Sequence, residues 1–557
     1  MKAISIFNHV LGPVMRGPSS SHTAGAFHIA SMARSMLGDP PNRAVFAFDP
    51  DGSYAATYAQ QGADRGFAMG LMGRPLTEES FFTALADAPR IGLDLRFEVR
   101  PLHQPDHPNT VEIELATAAG TVLRLTARSI GGGEVEITRV EGRAVLFNGT
   151  AYEMLLEVPV GQTAAAQAML AEDGAVLEVC EPPGAQPRAN AIPLSAPSEA
   201  KAVSEVAETG DDRPPPPGLL ARIVLRRAKP LPAKIRARIL ALDGAVQIWE
   251  STPVYFVQTG SPLFQSAARM VQLATARQQS LGRLALAYEA QLLGLSEAEV
   301  LEEMLRRYEI MEQSVHRGLD PKFTGLQLLP ACAGAIFQAE ATGVLATRSL
   351  HTRAAARALA VMHVDGAMGV VCAAPTGGSA GVIPGVLVTL AEERRLSREQ
   401  IALALLAAGA IGLVLAQRAT FAAEVAGCQV EIGASGAMAA AAVVDAVGGS
   451  ARQACDAAAI AFQNTMGTVC DLLHGMVEIP CHTRNGVAAA SAFVNADLIL
   501  GGYTNFIPLD ETIDAVYAVG LAMPSELRCT SKGGLAIAPS ALALKPRCCH
   551  SGCSSCL

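Results

Sequence analysis

Three cysteines, Cys428, Cys470 and Cys481, taken singly read as buried packing thiols, yet each stands among polar neighbours that such a thiol does not need. Gln429 and Glu431 follow the first, Asp471 and His474 the second, and His482, Arg484 and Asn485 the third. A free cysteine in an apolar core behaves as a small hydrophobe and needs no such company. The spacing is also far wider than that of the paired CxxC knuckles of structural zinc sites. Three thiolates with no fourth ligand near them in sequence can hold an iron–sulfur cube by three corners. One iron then stays open to a substrate.

Two further motifs offer groups that bind anions or carry protons. Residues 17–23 read GPSSSHT. Gly-Pro makes a turn, Ser19, Ser20 and Ser21 present hydroxyls and backbone amides, and His22 can act as acid or base. A helix is expected to begin near Thr23, which puts the serines at its positive end, where a carboxylate or phosphate is held. Residues 373–385 read AAPTGGSAGVIPG. Here Thr376, Gly377, Gly378 and Ser379 form a backbone-exposing loop able to cradle a carboxylate through N–H groups. The plain structural readings are a Ser/Thr helix cap and a Gly-rich turn between helices.

The elements that must carry these groups follow from the pattern along the chain. At 557 residues the chain is too long for one core. Strand-like runs at 44–48, 110–115, 121–127 and 134–140 mix with helical stretches at 24–37 and 78–88, with turns at DPDG (49–52) and GGG (131–133). Residues 151–181 and 221–257 each read strand–helix–strand. Between them, 182–218 is rich in Pro, Ala, Ser and Glu with no apolar period, the composition of a disordered linker. From Ser261 the pattern is helical almost to the end, and 546–557 is a polar, Cys-rich tail. The expected fold is α+β and multidomain. It comprises an α/β domain over 1–150, a βαβ module over 151–257 split by the linker at 182–218, an all-α helical domain over 258–545, and the tail.

Composition narrows the function classes. The net charge is −9 and no basic, aromatic-studded patch appears, so no nucleic-acid partner is expected. Twelve cysteines are many, but their uneven placement does not suit a secreted disulfide scaffold. The first 17 residues do not read as a signal peptide, and the expected location is cytoplasmic. The apolar run 401–416 falls short of the roughly 20 residues of a membrane span and, being rich in Ala and Gly, reads as a buried helix. No membrane partner is expected.

GPSSSHTAG, SIGGGEVEIT (129–138), APTGGSAGVIPG, GCQVEIG, CDLLHGMVEIPC and MPSELR (523–528) occur in this order. Together they resemble the iron–sulfur L-serine dehydratases (L-serine ammonia-lyases), in the form with separate β and α subunits, here fused as β, module, α. The split module at 151–257 resembles a regulatory ACT domain, in degenerate form. Pro159, Val160, Gly161 and Gln162 stand where ACT domains carry an Asp or Asn loop for an amino-acid ligand.

The resemblance implies a [4Fe–4S] cluster on Cys428, Cys470 and Cys481 that acts as a Lewis acid on an amino-acid substrate. It implies His22, Ser21 and His107 as catalytic residues, with His22 or a hydroxyl of Ser19–Ser21 carrying the proton and His107 helping to orient the substrate. Ser19, Ser20, Asn109, Thr376, Gly377, Gly378, Ser379 and Arg484 are implied as substrate contacts, with Arg484 pairing the carboxylate. Cys556 is implied as a tail cap on the open iron, beside Cys548, Cys549 and Cys553. A homodimer fits the family. Pyridoxal phosphate is not expected, because only Lys322, Lys532 and Lys545 lie in the helical half, none in a recognisable cofactor motif. The chain departs from the family where Gln61 stands in place of the histidine of a Gly-His-Gly motif, and where Asp365 and Gln417 replace asparagines. Two alternatives stay open: a carbon–sulfur lyase acting on L-cysteine or a dehydratase of another β-substituted acid, and a non-catalytic or sulfur-handling paralogue.

Overall fold

The structure is a computed structural model that describes residues 3–103, 105–171, 176–181, 220–244 and 246–547. The linker expected at 182–218 and the tail cysteines Cys548, Cys549, Cys553 and Cys556 lie outside the described residues. Two compact units are present: Met1–Thr150 with Pro253–Leu557, and Ala151–Thr252.

In the larger unit, a short strand β1 (Val14–Arg16) precedes β2 (Arg43–Phe48), β3 (Asp94–Val99), β4 (Thr110–Ala116), β5 (Val122–Gly131), β6 (Glu134–Val140) and β7 (Arg143–Phe147). Strands β2 to β7 form one six-stranded sheet in the order β3-β2-β4-β5-β6-β7, with only β2 and β3 parallel. Alternation explains the strands. Leu123, Leu125 and Ala127 of β5 are buried, whereas Val122 and Arg124 point to solvent. Helices Gly25–Leu37 and Ala63–Met72 pack closely together beside this sheet. Their approach depends on Gly66 and Gly70, where a Cβ would stand 2.4 Å from the Thr23 carbonyl oxygen and 2.6 Å from that of Phe27.

The four strand runs read from the sequence are therefore strands, within a residue or two at most ends. The entry into the first helix differs from expectation. The α-helix starts at Gly25, and Ser20–Ala24 form a wider π-helical turn ahead of it. Ser19 accounts for this, because its hydroxyl accepts the His22 N–H and its carbonyl accepts the Thr23 N–H. The serines thus sit inside a turn and do not simply cap a regular helix.

The helical part surrounds Arg398–Arg418, the apolar helix read from the sequence as buried. It begins with a Ser397–Gln400 capping box and runs apolar for most of its length. By length and composition it would suit a membrane, yet 78% of its apolar window is buried inside the protein. Helices Leu281–Leu293, Glu297–Leu319 and the Ala-rich Ile432–Ala446 pack against it. Small side chains allow the close approach. A Cβ on Gly282 would meet the Leu403 carbonyl oxygen at 2.3 Å, and one on Gly412 would meet Val10 at 2.1 Å. The buried carboxylate of Glu289 anchors the chain start by accepting the Ser5 hydroxyl and the Ile6 and Phe7 N–H groups.

A last strand, β12 (Val370–Cys372), pairs antiparallel with β1, matching Val14 with Cys372 and Arg16 with Val370. In the smaller unit, β8 (Tyr152–Pro159), β9 (Val176–Glu181), β10 (Leu220–Arg227) and β11 (Gln247–Ser251) form an antiparallel sheet in the order β11-β8-β10-β9. Helices Thr163–Ala171 and Ala233–Leu240 complete a βαββαβ succession. Met154, Leu156, Leu170, Ile223, Leu225 and Ile239 fill its own core.

At Gly318, an added Cβ would lie 1.9 Å from the Ala360 carbonyl oxygen, where helices Glu297–Leu319 and Leu350–Gly366 cross. Gly318→Ala should therefore destabilise the protein by about 1–3 kcal/mol through overpacking. Thermal unfolding should show this as a lowered melting temperature, and an unchanged transition would disprove the close crossing.

Candidate metal centre and the adjoining proton-transfer site

Three separate segments bring the cysteines together. Cys428 opens a 3-10 turn, Cys428–Val430, directly after Gly427, which has φ 75°. Only glycine fits there, because a Cβ would also stand 2.8 Å from the Thr468 carbonyl oxygen. Cys470 lies in an extended segment that bridges to Arg528. Its N–H donates to the Leu527 carbonyl at 2.9 Å. Cys481 is the first residue of helix Cys481–Leu500. All three are free thiols and at most 4% exposed.

The thiols of Cys428 and Cys470 are hydrogen-bonded, and Cys481 lies within electrostatic reach of Cys428. Ligand atoms of Cys428, Cys470 and Glu431 can come within 4.8 Å of one another. The hydrogen bond with Cys470, together with burial, pushes the Cys428 thiol well above its usual range, and burial does the same to Cys481. Such thiols are poorly placed to ionise alone. A soft cation removes that difficulty, since a coordinating thiol is deprotonated outright. The donor set fits an iron–sulfur centre.

Arg484 supplies nearby positive charge. Both Cys428 and Cys481 act on it electrostatically. Its guanidinium pairs with Asp471 at 3.0 Å and donates to the Val469 carbonyl at 2.9 Å. Asp471 in turn accepts the Leu535 N–H. The fork expected for a substrate carboxylate is thus engaged inside the protein.

Beside the thiols, the GPSSSHT turn builds a buried network around Glu424. Ser21 donates to Glu424 Oε1 at 2.7 Å, and Asn109 Nδ2 donates to the same oxygen at 3.3 Å. His22 Nδ1 lies 3.8 Å from it. The other ring nitrogen, Nε2, is 2.9 Å from Thr57 Oγ1, whose own proton goes to the Ser53 carbonyl. This accounting assigns the proton to Nε2 and leaves Nδ1 as the acceptor. Nδ1 then faces the hydroxyls of Ser21 at 3.1 Å and Ser19 at 3.3 Å. Burial lowers the His22 pKa, against the opposing pull of Glu424. Burial also works against charge on Glu424, but His22, Ser21 and Asn109 outweigh it and hold that carboxyl below its usual range. His107 sits at the edge of this network. It accepts the Asn109 N–H, and burial lowers its pKa too.

The Gly-rich loop closes the other side. Thr376 and Ser379 form a reciprocal cap, and the Gly377 N–H donates to Ser20 Oγ at 3.3 Å. A Cβ on Gly377 would stand 2.8 Å from the Pro18 carbonyl oxygen, so the two motifs touch only because this residue is glycine. Asn485 ties the loop to the cysteine helix, donating to the carbonyls of Gly378 and Cys481. Glu431 lies 3.6 Å from the Cβ position of Gly378, and burial followed by the charge of Glu424 pushes its pKa up to about 8. It therefore carries a proton at neutral pH.

Structure thus gathers His22, Ser19, Ser21, Asn109 and His107 around Glu424, and Ser20 with residues 376–379. Cys556 lies outside the described residues. Gln61, at the position of the family histidine, donates instead to the Gly475 carbonyl at 3.0 Å. Sequence reading passed over Glu424, Thr57 and Cys529. Glu424 had one usable signal, a carboxylate just ahead of the GCQVEIG motif. Cys529 had a similar one, standing directly after MPSELR, whereas Thr57 had none, because only folding brings it to the site.

Comparison with known proteins places this architecture. The family described as serine dehydratase alpha chain matches residues 263–536. A probable L-serine dehydratase alpha chain from Bacillus subtilis is 35% identical over 285 residues, covering 51% of this chain and 95% of that protein. The L-serine dehydratase alpha chain of Peptoniphilus asaccharolyticus is 33% identical, covering 49% of this chain and 94% of that protein. A probable L-serine dehydratase beta chain from Bacillus subtilis is 42% identical over 149 residues, covering 27% of this chain and 66% of that protein. With counterparts of alpha and beta chains on one polypeptide, this chain belongs to the iron–sulfur L-serine dehydratase family.

Proposed function

We propose that this chain is an L-serine ammonia-lyase that eliminates water from L-serine and releases pyruvate and ammonia. The observation that carries this reading is the buried trio Cys428, Cys470 and Cys481 beside the His22–Glu424 pair. The three thiols are the residues to hold a [4Fe–4S] cluster, which when bound supplies Lewis acidity toward the leaving hydroxyl.

The protein's own groups handle protons and orientation. His22 Nδ1 is a neutral acceptor, so the Ser19 hydroxyl can give its own proton to it over 3.3 Å as it takes one from the substrate, while Ser21 keeps its proton on Glu424. The charged imidazole formed is stabilised by Glu424. Glu431, protonated at neutral pH, is the donor suited to the departing hydroxyl. Backbone N–H groups of residues 376–379 serve the substrate carboxylate, with Asn109 and His107 as further contacts. Arg484 offsets thiolate charge from its pairing with Asp471. Loss of the α-proton and of hydroxide leaves aminoacrylate, which tautomerises and hydrolyses to pyruvate and ammonia.

Finer features belong to the same reading. The smaller unit is an ACT-like module in a structural role, supported by its βαββαβ order and the absence of buried residues in the turn Val160–Gln162. A homodimer in the cytoplasm is the expected state.

The direct test is anaerobic reconstitution with iron and sulfide, then assay of pyruvate and ammonia from L-serine, L-threonine and L-cysteine. Turnover of L-serine is expected. Full cluster loading without turnover of L-serine would refute the reading. Cys470→Ala should abolish both the brown chromophore and activity, and its retention of both would refute the ligand set.

His22→Ala should lower kcat by about 10²–10⁴-fold at matched cluster content, the range of a lost acid–base group. A pH profile gives a second check. Because burial lowers the His22 pKa, the neutral acceptor persists below the ordinary histidine value of 6.5, and the acidic limb of kcat/KM should lie under it. Glu424→Gln removes the influence that raises the pKa, so that limb should move further down. An upward move would contradict the assignment.

A further inference from the structure

One buried acid at the site has no partner for its charge. Asp365 is fully buried, and neither of its carboxylate oxygens has a hydrogen bond among the described residues. Other acids around the thiols are supplied. Glu424 accepts from Ser21 and Asn109, and Asp471 pairs with Arg484. Glu478 accepts the N–H groups of residues 327–329, and Glu431 is hydrogen-bonded to Thr376. A buried polar group left unsatisfied costs stability, so its presence asks for a reason in function.

Its place in the fold is beside the same site. A Cβ on Gly17, the first residue of the GPSSSHT motif, would lie 2.4 Å from Asp365 Oδ1. The carboxylate therefore rests against the start of the serine turn. Glu431 acts on it electrostatically, and it acts in turn on the Cys481 thiol. Asp365 also stands in the last turn of helix Leu350–Gly366, the negative end of the helix dipole. A cation is favoured there and a carboxylate is not. The basic side chain of that turn, His363, does not supply one, because burial lowers its pKa to about 4.

An α-amino acid carries a carboxylate and an ammonium on one carbon. The N–H groups of residues 376–379 suit the first, and the second needs an acceptor of opposite charge. We propose that Asp365 receives the α-ammonium of L-serine and so sets the choice of an amino acid over a hydroxy acid. Ammonium N–H groups donate to its two open oxygens, and no covalent bond between heavy atoms changes. The inference rests on the serine-lyase reading given above and adds the group that reads the amine. It also accounts for Asp where the family pattern has asparagine, since a full charge holds an ammonium more strongly than a neutral amide oxygen does.

The test uses the full-length enzyme loaded with iron and sulfide, as wild type, Asp365→Asn and Asp365→Ala, compared at equal cluster content. L-Serine is followed by KM and kcat. L-Glycerate, which has a hydroxyl in place of the ammonium, is followed as an inhibitor. Asp365→Ala should raise the KM for L-serine by about 10–100-fold, the worth of a hydrogen bond to a charged group, with a smaller effect on kcat. Inhibition by L-glycerate should be no weaker than in wild type. Asp365→Asn keeps an acceptor oxygen without the charge and should give a smaller rise in KM. Because the free protein loses no contact, Asp365→Asn should also melt no lower than wild type before loading.

An unchanged KM for L-serine in Asp365→Ala would overturn the proposal. So would equal weakening of L-serine and L-glycerate together with lowered melting temperatures, a result that would make Asp365 a structural residue. A wild-type KM that depends on potassium, with that dependence lost in the variants, would also overturn it by assigning the carboxylate to a metal cation. Failure of loaded wild type to turn over L-serine at all would instead refute the serine-lyase reading.

Discussion

The site depends on a pairing of only three residues a side. Strand β1 hands the chain directly to Gly17, and β12 hands it to the loop that begins at Ala373. Their antiparallel register, extended by bonds from Gly17 N–H to Gly369 and from Ala373 N–H to Pro13, sets the serine turn beside the Gly-rich loop. These two motifs lie more than half the chain apart in sequence. Bringing them together carries a loop-closure cost that grows only slowly with length. The burial of Ile6, Val10 and Leu11 against the helical core offsets it, with Glu289 satisfying the N–H groups at the chain start. An unpaired β1 would leave both motifs folded locally and the site unformed.

Electrostatics inside the site follows from burial. Three acids lie near the cysteines and the histidine: Glu424 and Asp365 buried, Glu431 half-buried. Low polarisability separates their states. Glu424, with partners for its charge, stays ionised, whereas Glu431, with few, keeps a proton near neutrality. Asp365 is buried with both carboxylate oxygens lacking hydrogen bonds, and burial raises its pKa well above the carboxylate range. Like environments thus yield a base-side pair and an acid-side group from the same chemistry. The thiols obey a related rule, since the hydrogen bond with Cys470 and then burial keep Cys428 protonated, and burial keeps Cys481 so, until a cation takes the proton's place.

Much of the fold is legible in the sequence because it is local. The two-residue alternation of β4, β5 and β6 identifies them, and the unbroken Ala- and Leu-rich run inside Arg398–Arg418 identifies a helix hidden among helices. The cysteine trio is legible because polar neighbours mark it. The expected regular helix start at Thr23 was displaced, since Ser19 offers the backbone a competing hydrogen bond that a periodicity cannot register. Arg484 shows a similar limit. Its residue type suits a carboxylate, but whether its donors are available depends on Asp471, thirteen positions away along the chain and ion-paired to it in space.

Residue order by itself determined the alternation of strands and helices, the three polar-flanked cysteines, and the turn that presents Ser19–Ser21 and His22. Each rests on spacing within a few residues, where backbone geometry leaves little choice. Tertiary structure alone decided that Glu424 would partner His22, that Thr57 would fix the imidazole tautomer, that Gln61 would bind Gly475, and that Cys529 would touch Cys470. These contacts join segments separated by long stretches of chain. No local pattern encodes them, because the packing of small-residue helices and the β1–β12 pairing determine which side chains meet.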